Sequence, residues 1–260
     1  MKIEPGKFLE TILAEKAREV AAMIDERPGK LRESSKLFDV VKAHSNRLQI
    51  IAEVKKASPS LGDINMTVDI VTQAQAYEAA GAAMISVLTD PIFFKGNIEY
   101  LRKISTAVRI PTLNKDFIID KKQINRAINA GATVILLIVA CFEDGEQVVL
   151  QELYDYASSL GLEVLVETHN KAELDRAHAL GAQIIGVNNR NLKTFEVSLQ
   201  NSLDLVKFFK PENVYISESG IFGQSEAEKV AAGFEGILVG TALMQAADLT
   251  EKLQELQIVR

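Results

Sequence analysis

The sequence predicts an α/β protein, a (β/α)8 barrel (TIM barrel) with an N-terminal helical extension, and three observations support this prediction. From Ile51 onward, short apolar runs rich in β-branched residues alternate with amphipathic stretches. Eight such runs can be counted, and a glycine comes shortly before several of them. Eight buried strands with a helix after each are typical of this barrel, whereas an open doubly wound sheet would more often carry a nucleotide-type glycine loop, which we do not find.

The predicted strands are rich in Val, Ile and Leu. In chain order they are RLQIIAEV near residue 50, MISVL near 86, PTLNK near 113, VILLIV near 136, EVLVE near 165, IIGV near 185, VYISES near 216 and GILVG near 238. Continuous apolar runs of this kind indicate parallel strands that are buried on both faces. Because barrels of this class commonly reach 260 residues, we expect one domain spanning residues 1–260.

Four glycines punctuate the repeat. Gly81, Gly131, Gly181 and Gly233 each precede a predicted strand. A glycine that closes a helix in the left-handed conformation, followed at once by a buried strand, is typical of the helix-to-strand turns of a parallel sheet. We therefore expect all four at such turns.

Residues 1–46 do not fit the repeat and form the predicted extension. The segments FLETILAEKAREVAAMIDE and LFDVVKAH have apolar spacings near 3.6, which predicts two helices. In the second segment, Leu37, Phe38, Val40 and Val41 supply an apolar patch. This patch either packs over one end of the barrel or completes a binding cleft.

Charge and hydropathy narrow the classes of partner. The chain carries 29 Lys plus Arg and 35 Asp plus Glu, a net charge of -6, so it lacks the basic surface that a nucleic-acid partner requires. It begins without the apolar run of a signal peptide, and no stretch approaches about 20 uninterrupted apolar residues. We expect a cytoplasmic protein with neither a nucleic acid nor a membrane as partner, in which any anionic ligand is held locally.

Cysteine and histidine give little evidence of metal chemistry. Cys141 is the only cysteine and has no base beside it in the sequence, which favours a buried thiol over a nucleophile. The spacings of His44, His169 and His178 do not match a metal site, so no metal is predicted. His169 follows Glu167 closely and borders a site or, as the sequence favours, is an exposed loop histidine.

Polar residues end several of the predicted strands, where the active sites of (β/α)8 barrels lie. These ends are Glu53-Val54-Lys55-Lys56, Lys115-Asp116, Glu167, Asn188-Asn189-Arg190 and Glu218-Ser219-Gly220. Alternation along the strand places Glu53 and Lys55 on one face, either as site residues or as an ion pair that plugs the barrel. Lys115 is either a catalytic group or a solvated loop charge, and Glu167 either a catalytic or a helix-capping carboxylate.

Two loops predict a phosphate site. Ser219-Gly220-Ile221 follows the seventh strand, and Gly240-Thr241-Ala242 follows the eighth and leads into a short helical segment. Small residues let backbone N–H groups approach an anion, hydroxyls add donors, and these two loops frequently bind phosphate in such barrels.

Motifs at these strand ends resemble the indole-3-glycerol-phosphate synthase family over nearly the whole chain. IIAEVKKASPS, LNKDFI, LVETHN, IIGVNNRNL, ISESGI and LVGTALM occur in the family's order. The resemblance implies a carboxy-lyase of tryptophan biosynthesis that needs no cofactor. It would convert 1-(2-carboxyphenylamino)-1-deoxyribulose 5-phosphate, a small phosphorylated substrate, into indole-3-glycerol phosphate, carbon dioxide and water.

The resemblance also implies roles for individual residues. Lys115 resembles the general acid, Glu167 the general base, and Lys55 the lysine that contacts the reacting substrate. The remaining matches are to a polar orienting pair (Glu53 and Asn188), the lining of the anthranilate end (Ser58, Phe94 and Arg190) and the phosphate cradle (Ser219, Gly220, Gly240 and Thr241). The extension, residues 1–46, is similar to the one that covers the mouth of the barrel in this family. Other enzymes of the tryptophan pathway are possible partners, but nothing in the sequence indicates one.

Three positions depart from the family pattern, and two other functions stay open. Leu61 stands where many members carry Lys, Asn114 where Arg or Cys is more usual, and Asn191 where Asp is common. None of these removes a predicted acid, base or phosphate donor. A related phosphosugar isomerase would share the phosphate loops but needs a differently placed Cys and Asp pair. A catalytically silent phosphate-binding barrel would not need Lys115 and Glu167.

Overall fold

Eight parallel strands close into a barrel in the computed structural model, which describes residues 6–59 and 62–260. Each strand pairs with its neighbours in sequence, and the eighth pairs with the first. The strands are β1 (Gln49–Val54), β2 (Met84–Leu88), β3 (Thr112–Lys115), β4 (Val134–Ile138), β5 (Glu163–Thr168), β6 (Ile184–Asn188), β7 (Val214–Glu218) and β8 (Gly236–Val239). The (β/α)8 prediction is confirmed, and all eight strands lie in the predicted segments apart from one extra residue at the end of β5 and of β6.

Two helices precede β1, at least one helix follows every strand, and together they surround the barrel. They are α1 (Phe8–Ala22), α2 (Leu37–Ala43), α3 (Ile70–Ala79), α4 (Ile98–Ala107), α5 (Lys121–Asn129), α6 (Gln147–Ser159), α7 (Lys171–Ala179), α8 (Gln200–Leu205), α9 (Gln224–Ala231), α10 (Thr241–Met244) and α11 (Leu249–Leu256). Both α10 and α11 follow β8. Among the described residues, no helix is both long enough and apolar enough to cross a bilayer.

The strands are buried because helices cover them outside and other side chains fill the barrel inside. Every residue of β2 and of β4 is buried, which explains why MISVL and VILLI are continuous apolar runs rather than alternating ones. The core is therefore continuous from the barrel interior to the inner faces of the surrounding helices.

Three of the four predicted glycine turns have the expected conformation. Gly81, Gly131 and Gly181 have φ angles of 92°, 88° and 77°, in the left-handed region. Gly233 lies in the predicted turn between α9 and β8 but does not have a positive φ, so the predicted conformation is wrong there. A Cβ atom at Gly233 would lie 2.5 Å from Cγ2 of Val206, so close packing explains this glycine.

The two helices of the extension lie at opposite ends of the barrel. Lys16 of α1 pairs with Asp90 and Asp116, which follow β2 and β3 at the C-terminal end. In contrast, the backbone N–H groups of Leu37 and Phe38 in α2 donate to Glu163, the first residue of β5. The apolar patch of the second segment therefore packs over the N-terminal end of the barrel rather than completing the cleft.

Candidate active site

A cleft opens at the C-terminal ends of the strands and encloses about 1110 Å³, open solvent at its mouth included. The structure brings every site residue predicted from the sequence to its lining: Glu53, Lys55, Ser58, Phe94, Lys115, Glu167, Asn188, Arg190, Ser219, Gly220, Gly240 and Thr241. Residues far apart in sequence meet here because parallel strands all end at the same rim of the barrel.

Lys115, the last residue of β3, reaches into the middle of a group of carboxylates. Its Nζ is 2.8 Å from Oε2 of Glu167 and 3.2 Å from Oε2 of Glu218. Burial alone would lower the pKa of Lys115, but Glu167, Glu218 and Glu53 outweigh it and raise the pKa above its ordinary value. The side chain is an ammonium with 14 % exposure, so it is charged and still accessible from the cleft.

Glu167 is held on both of its oxygens. Oε2 pairs with Lys115, and Oε1 accepts a hydrogen bond of 3.0 Å from Nδ2 of Asn188. Burial alone would raise the pKa of Glu167, but Lys115 and His169 outweigh it and hold the pKa well below its usual range. The carboxylate is therefore ionised and aimed at the cleft, rather than serving as a helix cap.

Glu218 is a site residue that the sequence analysis named among the strand ends but gave no role. It ends β7 and is 1 % exposed, and its Oε1 has no hydrogen-bond partner among the residues that the structure describes. Burial raises the pKa of Glu218 to about 7, with the charge of Glu167 adding to it and Lys115 opposing it. A Cβ at Gly186 of β6 would lie 2.1 Å from this Oε1, so a glycine there makes room for the carboxylate. The available signal was the charged residue that ends the apolar run VYIS, the same signal that marked Glu167.

Glu53 and Lys55 form the second ion pair of the cleft. Lys55 Nζ is 2.9 Å from Glu53 Oε1, and both side chains face the cavity instead of plugging the barrel. A Cβ at Gly240 would lie 2.6 Å from that oxygen and 3.0 Å from Lys55 Nζ. The loop after β8 therefore approaches this pair closely only because residue 240 is a glycine.

One wall of the cleft is largely aromatic. Ser58 lies in a two-stranded hairpin, Ala57–Ser58 paired with Gly62–Asp63, and is buried. Phe94 follows β2, and the Phe8 ring of α1 lies edge-on to Phe195 at 4.5 Å between centroids. Arg190 lies on this side of the cleft and donates to the Phe195 carbonyl at 3.2 Å. A flat apolar group with a polar edge fits this wall.

The two predicted phosphate loops lie side by side because β7 and β8 pair directly. Ser219 and Gly220 have φ angles of 67° and 80°, two successive left-handed residues. Such a conformation is rare for serine, and both residues line the cleft. Gly240 and Thr241 complete the rim on the neighbouring strand. Backbone N–H groups and two hydroxyls are thus available to an anion.

The structure tests the predictions for His169 and Cys141. The favoured interpretation of His169 as an exposed loop residue is wrong: the side chain is 11 % exposed and lies 3.3 Å from Glu167. Cys141 is buried, as predicted, and is not among the residues that line the cleft.

The departures from the family pattern occupy structural positions. Asn114 is buried and donates to Thr89 at 2.7 Å, and Asn191 accepts from the backbone of Lys193 and Thr194 in a turn. Leu61 lies outside the described residues. Within the described residues, neither asparagine side chain hydrogen-bonds Lys115 or Glu167.

The fold and the cleft together define a (β/α)8 barrel of the enzyme type, with a cleft at the C-terminal rim that is lined by paired lysines and carboxylates. The model of the family described as indole-3-glycerol phosphate synthase matches residues 9–256. A relative of that name from Lactococcus lactis subsp. cremoris (strain MG1363) is 74 % identical, covering 100 % of this chain and 98 % of the relative. One from Streptococcus pneumoniae (strain Hungary19A-6) is 65 % identical over 97 % of this chain and 98 % of the relative. The chain therefore belongs to the indole-3-glycerol phosphate synthase family, whose members are carboxy-lyases of tryptophan biosynthesis.

Solved structures that are distant in sequence share the barrel. A 3-hexulose-6-phosphate synthase from Salmonella typhimurium matches with a TM-score of 0.62 and 15 % identity, covering 80 % of this chain and 96 % of its own. A thiamine phosphate pyrophosphorylase from Pyrococcus furiosus matches with a TM-score of 0.59 and 19 % identity, covering 82 % and 95 %. At such identities the likeness shows the fold alone.

Proposed function

We propose that this cleft performs the ring closure of 1-(2-carboxyphenylamino)-1-deoxyribulose 5-phosphate, with Lys115 as general acid and Glu167 as general base. The observation that carries the assignment of roles is the contact between the two side chains, 2.8 Å from Nζ to Oε2. The family supplies the reaction, and this contact supplies an acid and a base within reach of one substrate.

Ring closure begins at the substrate carbonyl. The Lys115 ammonium donates a proton to the carbonyl oxygen as the ring carbon bearing the carboxylate attacks the carbonyl carbon. The new carbon–carbon bond breaks aromaticity, which returns when carbon dioxide leaves. Because its pKa is raised by surrounding carboxylates, Lys115 holds its proton until the substrate oxygen develops negative charge and becomes the better partner.

Dehydration then completes the indole. The hydroxyl formed from the carbonyl leaves as water when the ammonium of Lys55, the second lysine of the cleft, gives it a proton, while Glu167 accepts a proton from the neighbouring part of the substrate. Lys55, paired with Glu53, lies in the same cleft and is placed to contact the reacting part of the substrate. Glu218 is buried against Lys115, and we assign it to holding that ammonium.

The substrate's two ends fit the two sides of the cleft. We assign the phosphate to the loops at Ser219-Gly220 and Gly240-Thr241, and the anthranilate ring to the wall formed by Ser58, Phe94 and Arg190. We also propose that residues 1–46 belong to a single domain spanning 1–260 and that the first helix of this extension covers the mouth. Phe8, at the start of that helix, supports this because it lines the cleft.

The test is an assay of the purified protein with the named substrate, since indole formation produces fluorescence. We expect turnover by the wild type and a large loss in Glu167→Gln, which keeps the shape of the side chain but cannot accept the proton. A silent phosphate-binding barrel would instead bind the substrate without any rise in fluorescence. Turnover of Glu167→Gln at the wild-type rate would reject the assignment of the base.

A further inference from the structure

The side chains of His169 and Glu173 lie near Glu167 and take no part in the reaction steps proposed for the cleft. His169 directly follows β5, which contains Glu167, and Glu173 lies in the first turn of α7. The end of the strand and the start of the helix place these titratable groups in one row that leads away from the cleft, with Glu167 at its inner end.

The imidazole of His169 lies between the two carboxylates. Its Nδ1 is 3.0 Å from Oε2 of Glu173, and the backbone N–H of His169 donates to the same oxygen at 2.8 Å. Its Nε2 is 3.3 Å from Oε1 of Glu167, an ion-pair contact without aligned hydrogen-bond geometry, and has no hydrogen-bond partner among the described residues. The ring is therefore fixed by Glu173 on one side and faces the catalytic carboxylate on the other.

Glu173 is itself fixed before any substrate binds. Its Oε1 accepts from Nδ2 of Asn170 at 2.6 Å, and its backbone N–H donates to Oδ1 of the same asparagine at 3.0 Å. Asn170 is the N-cap of α7, so the geometry that begins the helix also orients Glu173. Orientation passes from the helix to Glu173 and then to His169.

The charges in this row favour the same arrangement. Burial alone would lower the pKa of His169, but Glu167 and Glu173 outweigh it and raise the pKa to about 9. The other groups near the row are Lys115, which faces Glu167, and Cys141, whose thiol pKa is raised well above its ordinary value by burial and by both carboxylates. At neutral pH the row therefore holds a neutral thiol and an imidazolium with a carboxylate on each side, hydrogen-bonded to Glu173 and within ion-pair distance of Glu167.

We propose that His169 and Glu173 are positioning residues for Glu167. Glu173 orients the imidazole, and the imidazole holds the Oε1 side of the carboxylate. The inference rests on the role of Glu167 as base. It explains how that base stays ionised in mid-reaction: once Lys115 has given its proton to the substrate, Glu167 has lost that cationic partner, and the imidazolium remains. Without a neighbouring cation at this moment, Glu167 would have a higher pKa and would be protonated more readily before the dehydration step, in which it has to accept a proton.

Two substitutions of the same residue separate the two contacts of the ring. The amide of asparagine reaches about as far as Nδ1, so His169→Asn retains a group for Glu173 and loses the one for Glu167. The amide of glutamine reaches about as far as Nε2, so His169→Gln retains the contact with Glu167. His178→Asn is the matched control, because His178 lies on α7, as Glu173 does, and its Nε2 contacts the Tyr215 hydroxyl at 2.9 Å instead of a carboxylate. Each variant is assayed for kcat, KM and the pH dependence of kcat.

We expect His169→Asn to lower kcat by about 10- to 100-fold, the range seen when a group that orients a catalytic ligand is removed. KM should change little, since the substrate contacts remain. The acid limb of kcat should move to higher pH in both His169 variants, because Glu167 loses a cationic neighbour. His169→Gln should recover much of the rate, and His178→Asn should match the wild type in rate and in pH profile.

Glu173→Gln tests the outer residue and keeps the inference testable if a His169 variant does not fold. With the charge of Glu173 removed, His169 should lose its proton at lower pH, so kcat should begin to fall earlier on the alkaline side. Wild-type kcat in His169→Asn, or equal losses in both His169 variants with an unmoved acid limb, would overturn the inference. An unchanged alkaline limb in Glu173→Gln would overturn it as well. If Glu167→Gln is inactive while these variants behave as wild type, the positioning role alone fails; if Glu167→Gln is active, the proposed base fails first.

Discussion

Two largely buried lysines at the same rim of the barrel differ in how completely the oxygens of their carboxylate partners are hydrogen-bonded. Lys16 of α1 is 1 % exposed, and its Nζ lies 2.7 Å from Asp116, 2.8 Å from Asp90 and 2.8 Å from Glu19. Lys115 is 14 % exposed and faces Glu167 and Glu218 across the cleft. The two clusters adjoin in the chain, because Asp116, a partner of Lys16, directly follows Lys115.

The difference lies in what the carboxylate oxygens accept. Around Lys16, the second oxygen of Asp116 accepts from Thr89 at 2.6 Å, that of Asp90 from the Phe93 backbone at 2.6 Å, and that of Glu19 from Arg126 at 2.8 Å. Around Lys115, Oε1 of Glu218 has no hydrogen-bond partner within the described part of the chain.

A buried cluster whose carboxylate oxygens all have partners fixes structure, whereas one that leaves an oxygen unpaired next to a cavity keeps a group that can change its protonation. The first cluster ties the extension to the loops after β2 and β3, and the second lines the cleft to which we assign the chemistry.

The largest expected difference between the clusters is in catalysis. Lys115→Met should lower turnover by about 10²- to 10⁴-fold, the usual contribution of a positioned acid. Indole fluorescence measures the rate, and substrate titration shows whether binding survives. A variant that turns over at the wild-type rate would remove Lys115 from the role of acid and end the contrast with Lys16.

The next effect is on stability. Lys16→Met leaves Asp90 and Asp116 buried without their cation, and we expect a loss of about 3 to 5 kcal/mol in the free energy of unfolding. Urea denaturation followed by circular dichroism measures it. Lys30→Met is the control, because Lys30 is 88 % exposed and pairs with Glu33 at 3.7 Å, so its loss should stay within about 0.5 kcal/mol. Equal stabilities of the two variants would contradict the structural role of the Lys16 cluster.

The smallest effect is a pH dependence of stability that comes from Glu218. The folded protein raises the pKa of this carboxyl to about 7, above its ordinary value, so the protonated form is favoured by folding. The stability that this preference contributes is present at low pH and is lost as the pH rises through 7. Relative to Glu218→Gln, which cannot ionise, the wild type should therefore become less stable between pH 5 and 8, by an amount on the order of 1 kcal/mol. Parallel stability curves for the two proteins would show that Glu218 is not held near neutrality.

Strand-end residues were predictable, and their pairing was not. Glu167 was identified as a candidate because it ends an apolar strand, but Glu218 ends one in the same way and was left without a role. Only the barrel shows that both face Lys115. The same limit applied to His169: its neighbour in sequence suggested a site, but its contact with Glu173 depends on how α7 begins after β5.

The extension shows a further limit. Its two helices were predicted from apolar spacing, yet nothing in that spacing distinguishes the rim of the barrel from its opposite end. The positions are decided by long-range partners: Asp90 and Asp116 for Lys16, and Glu163 for the start of α2.

By itself, the sequence determined the class of fold, the number and order of strands, and the residues that reach the rim, because burial on both faces and strand alternation leave a local pattern. Only the tertiary structure decided which rim charges meet. Lys115 and Asp116 are adjacent in the chain but belong to different clusters, since ion pairing depends on distances between strands and helices that are far apart in sequence.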